Sequence, residues 1–176
     1  KPEEKSAWVI RGNALADLGK YEEAIECSDK AIELDPKVAD TWYNKGSALA
    51  DLGKPEEAIE CYDKVIELDP KDVSAWGNKG VALDDLDKDK ESIKCYDTAI
   101  ELDPKVASVW GNKGVTLDNL GKYEEAIKCY DTALELDPKD ASAWGNKGSA
   151  LRNLGKPEEA IKCFDKAIEL DPKDAS

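Results

Sequence analysis

The chain has 176 residues, 41% of them hydrophobic and 36% charged, and carries a formal net charge of -14 at pH 7 with no histidine. A polyanion of this size is repelled by phosphate backbones, and no local basic stripe overrides the total, which argues against nucleic acid as a partner. No apolar run is long enough to span a bilayer or serve as a signal peptide, so the sequence reads as soluble and cytoplasmic, with no membrane partner.

Trp8, Trp42, Trp76, Trp110 and Trp144 recur every 34 residues. A constant period of this length signals stacked supersecondary units rather than one globular core. We expect a single array over residues 1–176, with repeats at 5–38, 39–72, 73–106, 107–140 and 141–174. Residues 1–4 and 175–176 are then remnants of flanking repeats, as in a segment of a longer protein. The repeats carry charges of -2, -5, -3, -3 and 0 in order, so acidity fades toward the C-terminus.

The first repeat has Val9 and Ile10 after its tryptophan and Ser28 where later repeats have an aromatic residue. The second, ADTWYNKGSALADLGKPEEAIECYDKVIELDPKD, shows the pattern most clearly. At 100° per residue, Trp42, Lys45, Gly46, Ala48, Leu49 and Leu52 share one arc, and Asp40, Asn44, Ser47 and Asp51 lie opposite. The spacing predicts an amphipathic helix ended by Gly53. Pro55 suits the first turn of a second helix, where Glu56 and Glu57 favour the positive end of its dipole. Apolar residues from Ala58 to Leu68 cover half of that helix, which must therefore be sandwiched, until Asp69-Pro70 stops it. Gly46 is expected to let the helices approach closely, with Trp42 filling the space beside it.

In the third repeat WGNKG appears at 76–80, and it returns at 110–114 and 144–148. Gly77, Gly111 and Gly145 stand where the second repeat has Tyr43, beside Asn78, Asn112 and Asn146. Leaving out side chains there would let a ligand backbone come close, at up to ~1 kcal/mol of helix propensity each. DDLDKDKE at 84–91 resembles the start of an EF-hand loop, but Lys90 stands where the loop needs Gly and Tyr96 where it needs Glu. It reads as a degraded inter-helix turn, with Asp87 in place of Gly. The fourth and fifth repeats keep the pattern, with Phe164 in place of the second-helix tyrosine and Arg152 in place of an acid.

The residues Trp42, Gly46, Gly53, Ala58, Tyr62 and Pro70, with similar sets in every unit, resemble the tetratricopeptide repeat (TPR) pattern over essentially the whole chain. Lys45 and its equivalents Arg11, Lys79, Lys113 and Lys147 depart from the family's usual leucine, and Leu49 and its equivalents from a common tyrosine. The resemblance implies an all-α, alpha-alpha superhelix whose first helices line a concave groove, acting as a protein-binding scaffold. Asn44, Asn78, Asn112 and Asn146 would then hydrogen-bond the main chain of an extended peptide. Tyr43 lines the same column, and Asp51, Asp85 and Asp118 would select basic side chains. Of the clamp by which chaperone adaptors of the family hold a C-terminal carboxylate, Asn13 and Asn44 match, but Val9, Ser74 and Asn78 occupy its basic positions.

Cys27, Cys61, Cys95, Cys129 and Cys163 fall one per repeat, too far apart for disulfides at ordinary helix spacing, and read as small buried residues. With no histidine and no CxxC pair, neither a metal nor a cofactor is expected. The paired acids recur at helix starts, where the dipole accounts for them, so no catalytic set emerges and the chain reads as a non-enzyme. Ile161, Phe164, Ile168 and Leu170 would lie on a helix without a following repeat, which suggests end-to-end self-association. A structural spacer, a self-assembling module and the targeting region of a larger protein remain the alternatives to a groove that binds peptides.

Overall fold

The computed structural model describes residues 2–171, and among these it contains ten helices and no strand. The expectation for residues 175–176 lies outside that range. The helices are α1 (Pro2–Asp17), α2 (Tyr21–Leu34), α3 (Ala39–Asp51), α4 (Pro55–Leu68), α5 (Val73–Asp84), α6 (Asp89–Leu102), α7 (Ala107–Asn119), α8 (Tyr123–Leu136), α9 (Ala141–Asn153) and α10 (Pro157–Leu170). α1 begins at Pro2, so residues assigned to a preceding repeat form its first turn, with Glu3 and Glu4 at the favourable end of the dipole.

The chain divides into two compact units, residues 1–95 and 96–176, with the boundary inside α6. In unit 1, α1 pairs with α2 and α3 with α4, and α2 and α4 each pack on the first helix of the following repeat. The apolar band on these second helices is wide because two neighbours cover it. In unit 2, α7 pairs with α8, α9 with α10, and α8 packs on α9.

The turns follow from local chemistry. Gly19, Gly53, Gly121 and Gly155 have φ between 72° and 79°, the left-handed region that an L side chain resists. Asp87 adopts φ 55° at the equivalent point of the third repeat. It keeps the same closing bonds, Asp87 N–H to Asp84 O at 2.9 Å and Lys88 N–H to Leu83 O at 2.9 Å. At the next turn, the Asp35, Asp69, Asp103 and Asp137 carboxylates accept from the backbone N–H of Lys37, Lys71, Lys105 and Lys139, fixing each Asp-Pro-Lys corner.

The tryptophans depart from expectation. They are half-buried, and the indole N–H of Trp42, Trp76, Trp110 and Trp144 donates to the carbonyl of Pro36, Pro70, Pro104 and Pro138 at 2.9–3.1 Å. Each tryptophan thus latches the turn six residues before it, because its indole has a polar edge that full burial would leave unpaired. The space beside the helix glycines belongs instead to the second-helix aromatic. A Cβ at Gly46 would lie 2.9 Å from Tyr62 Cε1, at Gly114 2.6 Å from Tyr130 Cε1, and at Gly148 2.7 Å from Phe164 Cε1. Leu49, Ala58, Cys61, Tyr62 and Ala82 form the buried cluster there, with Trp42 packed against its edge.

Candidate functional site

The lysines that replace leucine tie one repeat to the next. In unit 1, Lys45 pairs with Asp29 at 2.6 Å and Lys79 with Asp63 at 2.5 Å. In unit 2, Lys113 pairs with Asp97 and Lys147 with Asp131, both at 2.5 Å. Each ammonium also lies 5.5–6.0 Å from the ring centre of the tryptophan three residues earlier. These side chains are therefore held between an indole face and an aspartate. At Lys45, burial lowers the pKa, but the hydrogen bond and charge of Asp29 outweigh it and leave it raised.

The opposite side of the first helices carries the amides. In unit 1, Asn44 Nδ2 donates to Asn13 Oδ1 at 2.8 Å, and Asn78 Nδ2 donates to the Tyr43 hydroxyl at 2.7 Å. Adjacent repeats are thus joined along this face by side-chain hydrogen bonds, and one of each amide's two N–H groups is already used. The Tyr43 ring leans on Tyr62, with centroids 6.0 Å apart and planes at 58°. Asn44, Asn78 and Tyr43 are all half-buried, Asp51 and Asp85 are exposed, and Ile10 is 69% exposed where later repeats have asparagine.

In unit 2, Asn112 and Asn146 are half-buried, and the Asn112 carbonyl accepts from Thr116 Oγ1 at 3.2 Å. A Cβ built at Gly111 or Gly145 meets nothing within 4 Å, so the backbone beside these amides is open. Gly77, in unit 1, is instead buried, so the three glycines are not equivalent. Asp118 is half-buried, and burial pushes its carboxyl above the usual carboxylate range.

The five cysteines are free and buried. Burial pushes the thiols of Cys61, Cys95, Cys129 and Cys163 up, that of Cys61 to about 11, so they remain protonated and unreactive at neutral pH. Among the described residues, no group of three or more acids or cysteines could hold a metal ion, the Asp85, Asp87 and Asp89 turn included. No helix among them is long and apolar enough to cross a membrane.

Antiparallel helical hairpins on a 34-residue period, with α2, α4 and α8 each packed between two first helices, define an all-α solenoid of helix-turn-helix repeats. The chain belongs to the tetratricopeptide repeat family: models described as "Tetratricopeptide repeat" match residues 39–72, 73–106, 95–128 and 112–175, and one described as "TPR repeat" matches 12–53. Among solved structures it resembles a MamA crystal structure, with 29% identity, a TM-score of 0.83, and 93% of this chain and 96% of that one covered. It also resembles YrrB, described as a TPR protein with an unusual peptide-binding site, with 26% identity, a TM-score of 0.75, and 94% and 86% covered. A MamA fragment from Desulfovibrio magneticus RS-1, at 22% identity and TM-score 0.87 over 98% of both chains, shares the fold. No curated protein matches the chain significantly in sequence.

The Trp-to-Pro latch and the Lys–Asp bridge were missed from the sequence, although both signals are visible there. Trp follows Pro by six residues, and Lys follows Asp by sixteen, in repeat after repeat.

Proposed function

We propose that the chain is a protein-interaction scaffold whose first-helix face takes an extended peptide or a segment of a partner protein, with a preference for basic side chains. The observation that carries this reading is the amide-bearing face itself. Asn44 and Asn78 are braced by neighbours at 2.8 and 2.7 Å, so their side chains are ordered before any ligand arrives. Pre-ordered amides lower the entropy cost of binding and offer donor and acceptor groups to a main chain regardless of its sequence. Asn112 and Asn146 beside the open Gly111 and Gly145 would do the same in unit 2. Asp51, Asp85 and Asp118, within a chain of net charge -14, would favour lysine and arginine chiefly through on-rate and specificity. The likeness to YrrB adds support, since that protein is described as having a peptide-binding site. No catalytic role, cofactor or nucleic-acid partner belongs to this reading, and buried free thiols suit the reducing cytoplasm.

The test is a peptide-library pull-down with the unsubstituted chain and with Asn44, Asn78, Asn112 and Asn146 replaced by Ala. Specific peptides should be retained by the former and lost by the latter at unchanged helicity; equal retention would sink the amide reading. A second reading, end-to-end association through α10, rests on Ile161 at 58% and Ile168 at 49% exposure. Sedimentation of the same protein across concentrations decides it, a constant monomer mass ruling it out.

A further inference from the structure

We propose that a second copy of this chain docks its α1 on α10, with Arg11 of the incoming copy bridging to Asp165. This rests on the end-to-end reading of α10 and gives that contact a partner face, a register and a direction.

The bridges between repeats set the register. Each joins a first-helix lysine to an aspartate on the second helix of the preceding repeat, as in Lys45 with Asp29 and Lys147 with Asp131. Arg11 stands at the lysine position of α1 and already lies over its own tryptophan, 5.5 Å from the Trp8 ring centre. It is exposed, whereas the bridging lysines are half-buried. Asp165 stands at the aspartate position of α10 and is exposed too. Among the described residues, neither Arg11 nor Asp165 is in an ion pair.

The apolar faces follow the same register. α3, α5 and α9, which pack on the second helix before them, each bury two small residues at i and i+7: Thr41 and Ala48, Ala75 and Ala82, Ala143 and Ala150. On α1 the corresponding Ala7 and Ala14 are exposed, as are Ile10 and Leu18 on the same stripe. On α10, Ile161, Phe164, Asp165 and Ile168 are spaced i, i+3, i+4, i+7 and share one face. Ile168 is 49% exposed, whereas Leu134, at the same position of α8 where α9 packs, is 6% exposed.

Each face thus offers what the other lacks, apolar side chains to apolar side chains and a guanidinium to a carboxylate. The Trp8 ring already holds the guanidinium, so pairing costs less side-chain freedom, and its planar fork suits a carboxylate. Ile10 adds apolar area where later repeats carry a polar asparagine. The first repeat carries -2 and the fifth is neutral, so the contact joins the two least acidic repeats of a chain whose net charge is -14. Because the two faces differ, the contact is heterologous and builds chains or rings rather than two-fold dimers.

Sedimentation of the full chain across concentrations tests this, with Arg11→Asp and Asp165→Arg as charge-swapped variants. The average mass of the unsubstituted chain should rise past the dimer and fall as salt is added. Each swap sets like charges against each other and should weaken association by about tenfold or more at unchanged melting temperature. An equimolar mixture of the two variants restores opposite charges at every contact and should regain the assembly. Swaps without effect, or a mixture that stays dissociated, overturn the proposal. So does assembly that halts at a dimer, the result expected if α10 pairs with α10. Ile168→Glu separates the proposal from the reading beneath it. If that variant abolishes assembly while both charge swaps leave it intact, end-to-end association through α10 stands and the Arg11–Asp165 register falls. An unsubstituted chain that stays monomeric sinks both.

Discussion

Glycine has three different tasks in this chain, and the contacts around each decide what a methyl group would do. At Gly53 the task is a left-handed backbone, φ 75°. At Gly46 it is close approach, with Tyr62 Cε1 at 2.9 Å and Cys61 Cβ at 3.2 Å from a hypothetical Cβ. At Gly145 nothing lies within 4 Å. Gly46→Ala should therefore destabilise by about 1–3 kcal/mol through overpacking, because the obstructing ring is itself buried. Gly145→Ala should stabilise by up to ~1 kcal/mol through helix propensity. Urea denaturation of the two variants checks the pair, and the same sign for both would contradict the assignment. Two alternating residues in the sequence could not have told these apart, since 100° spacing places a glycine on a face without saying what meets it there.

For the helix, capping sets what can still be gained. α5 and α9 begin after Asp72 and Asp140, whose carboxylates accept from the Ala75 and Ala143 N–H at 2.9 Å. α3 and α7 begin after Val38 and Val106, with similar extended backbone and no side-chain cap. Val106→Asp should raise stability by about 1 kcal/mol, and Asp140→Ala should lower it by a similar amount. Thermal melts compare them directly; a neutral Val106→Asp would mean that valine contributes packing equal to the cap. The helices were legible because period, Gly stop and Pro start agree in each repeat. The inter-repeat lysine was not, because pairing Lys45 with Asp29 requires knowing that α3 packs on α2 and that Trp42 offers its ring beneath the ammonium.

Across the molecule, the buried thiols couple stability to alkaline pH. Cys61 keeps its proton to about 11 when folded, against 9.0 ordinarily, and Cys95, Cys129 and Cys163 are raised in the same direction by burial. Between these values the unfolded chain loses the proton while the folded chain holds it, so stability is full below pH 9 and declines as pH rises toward 11. The Cys61 contribution is on the order of 1 to 2 kcal/mol after allowing for partial solvation. Cys61→Ala should flatten the pH 9–11 limb of the melting curve relative to the unsubstituted protein. An unchanged limb would show that other groups govern it.

The 34-residue period, the helical hairpin and the identity of the covered faces were determined by the sequence alone, because each depends on local propensity and on an apolar pattern repeated without interruption. Tertiary structure decided which partner each recurring residue meets. It set the tryptophans on turn carbonyls rather than beside the glycines, the lysines in bridges to aspartates of the preceding repeat, and the Tyr130 ring against Gly114. Those outcomes depend on distances between helices that no periodicity encodes, since directional hydrogen bonds and close ring contacts are settled at a few tenths of an ångström.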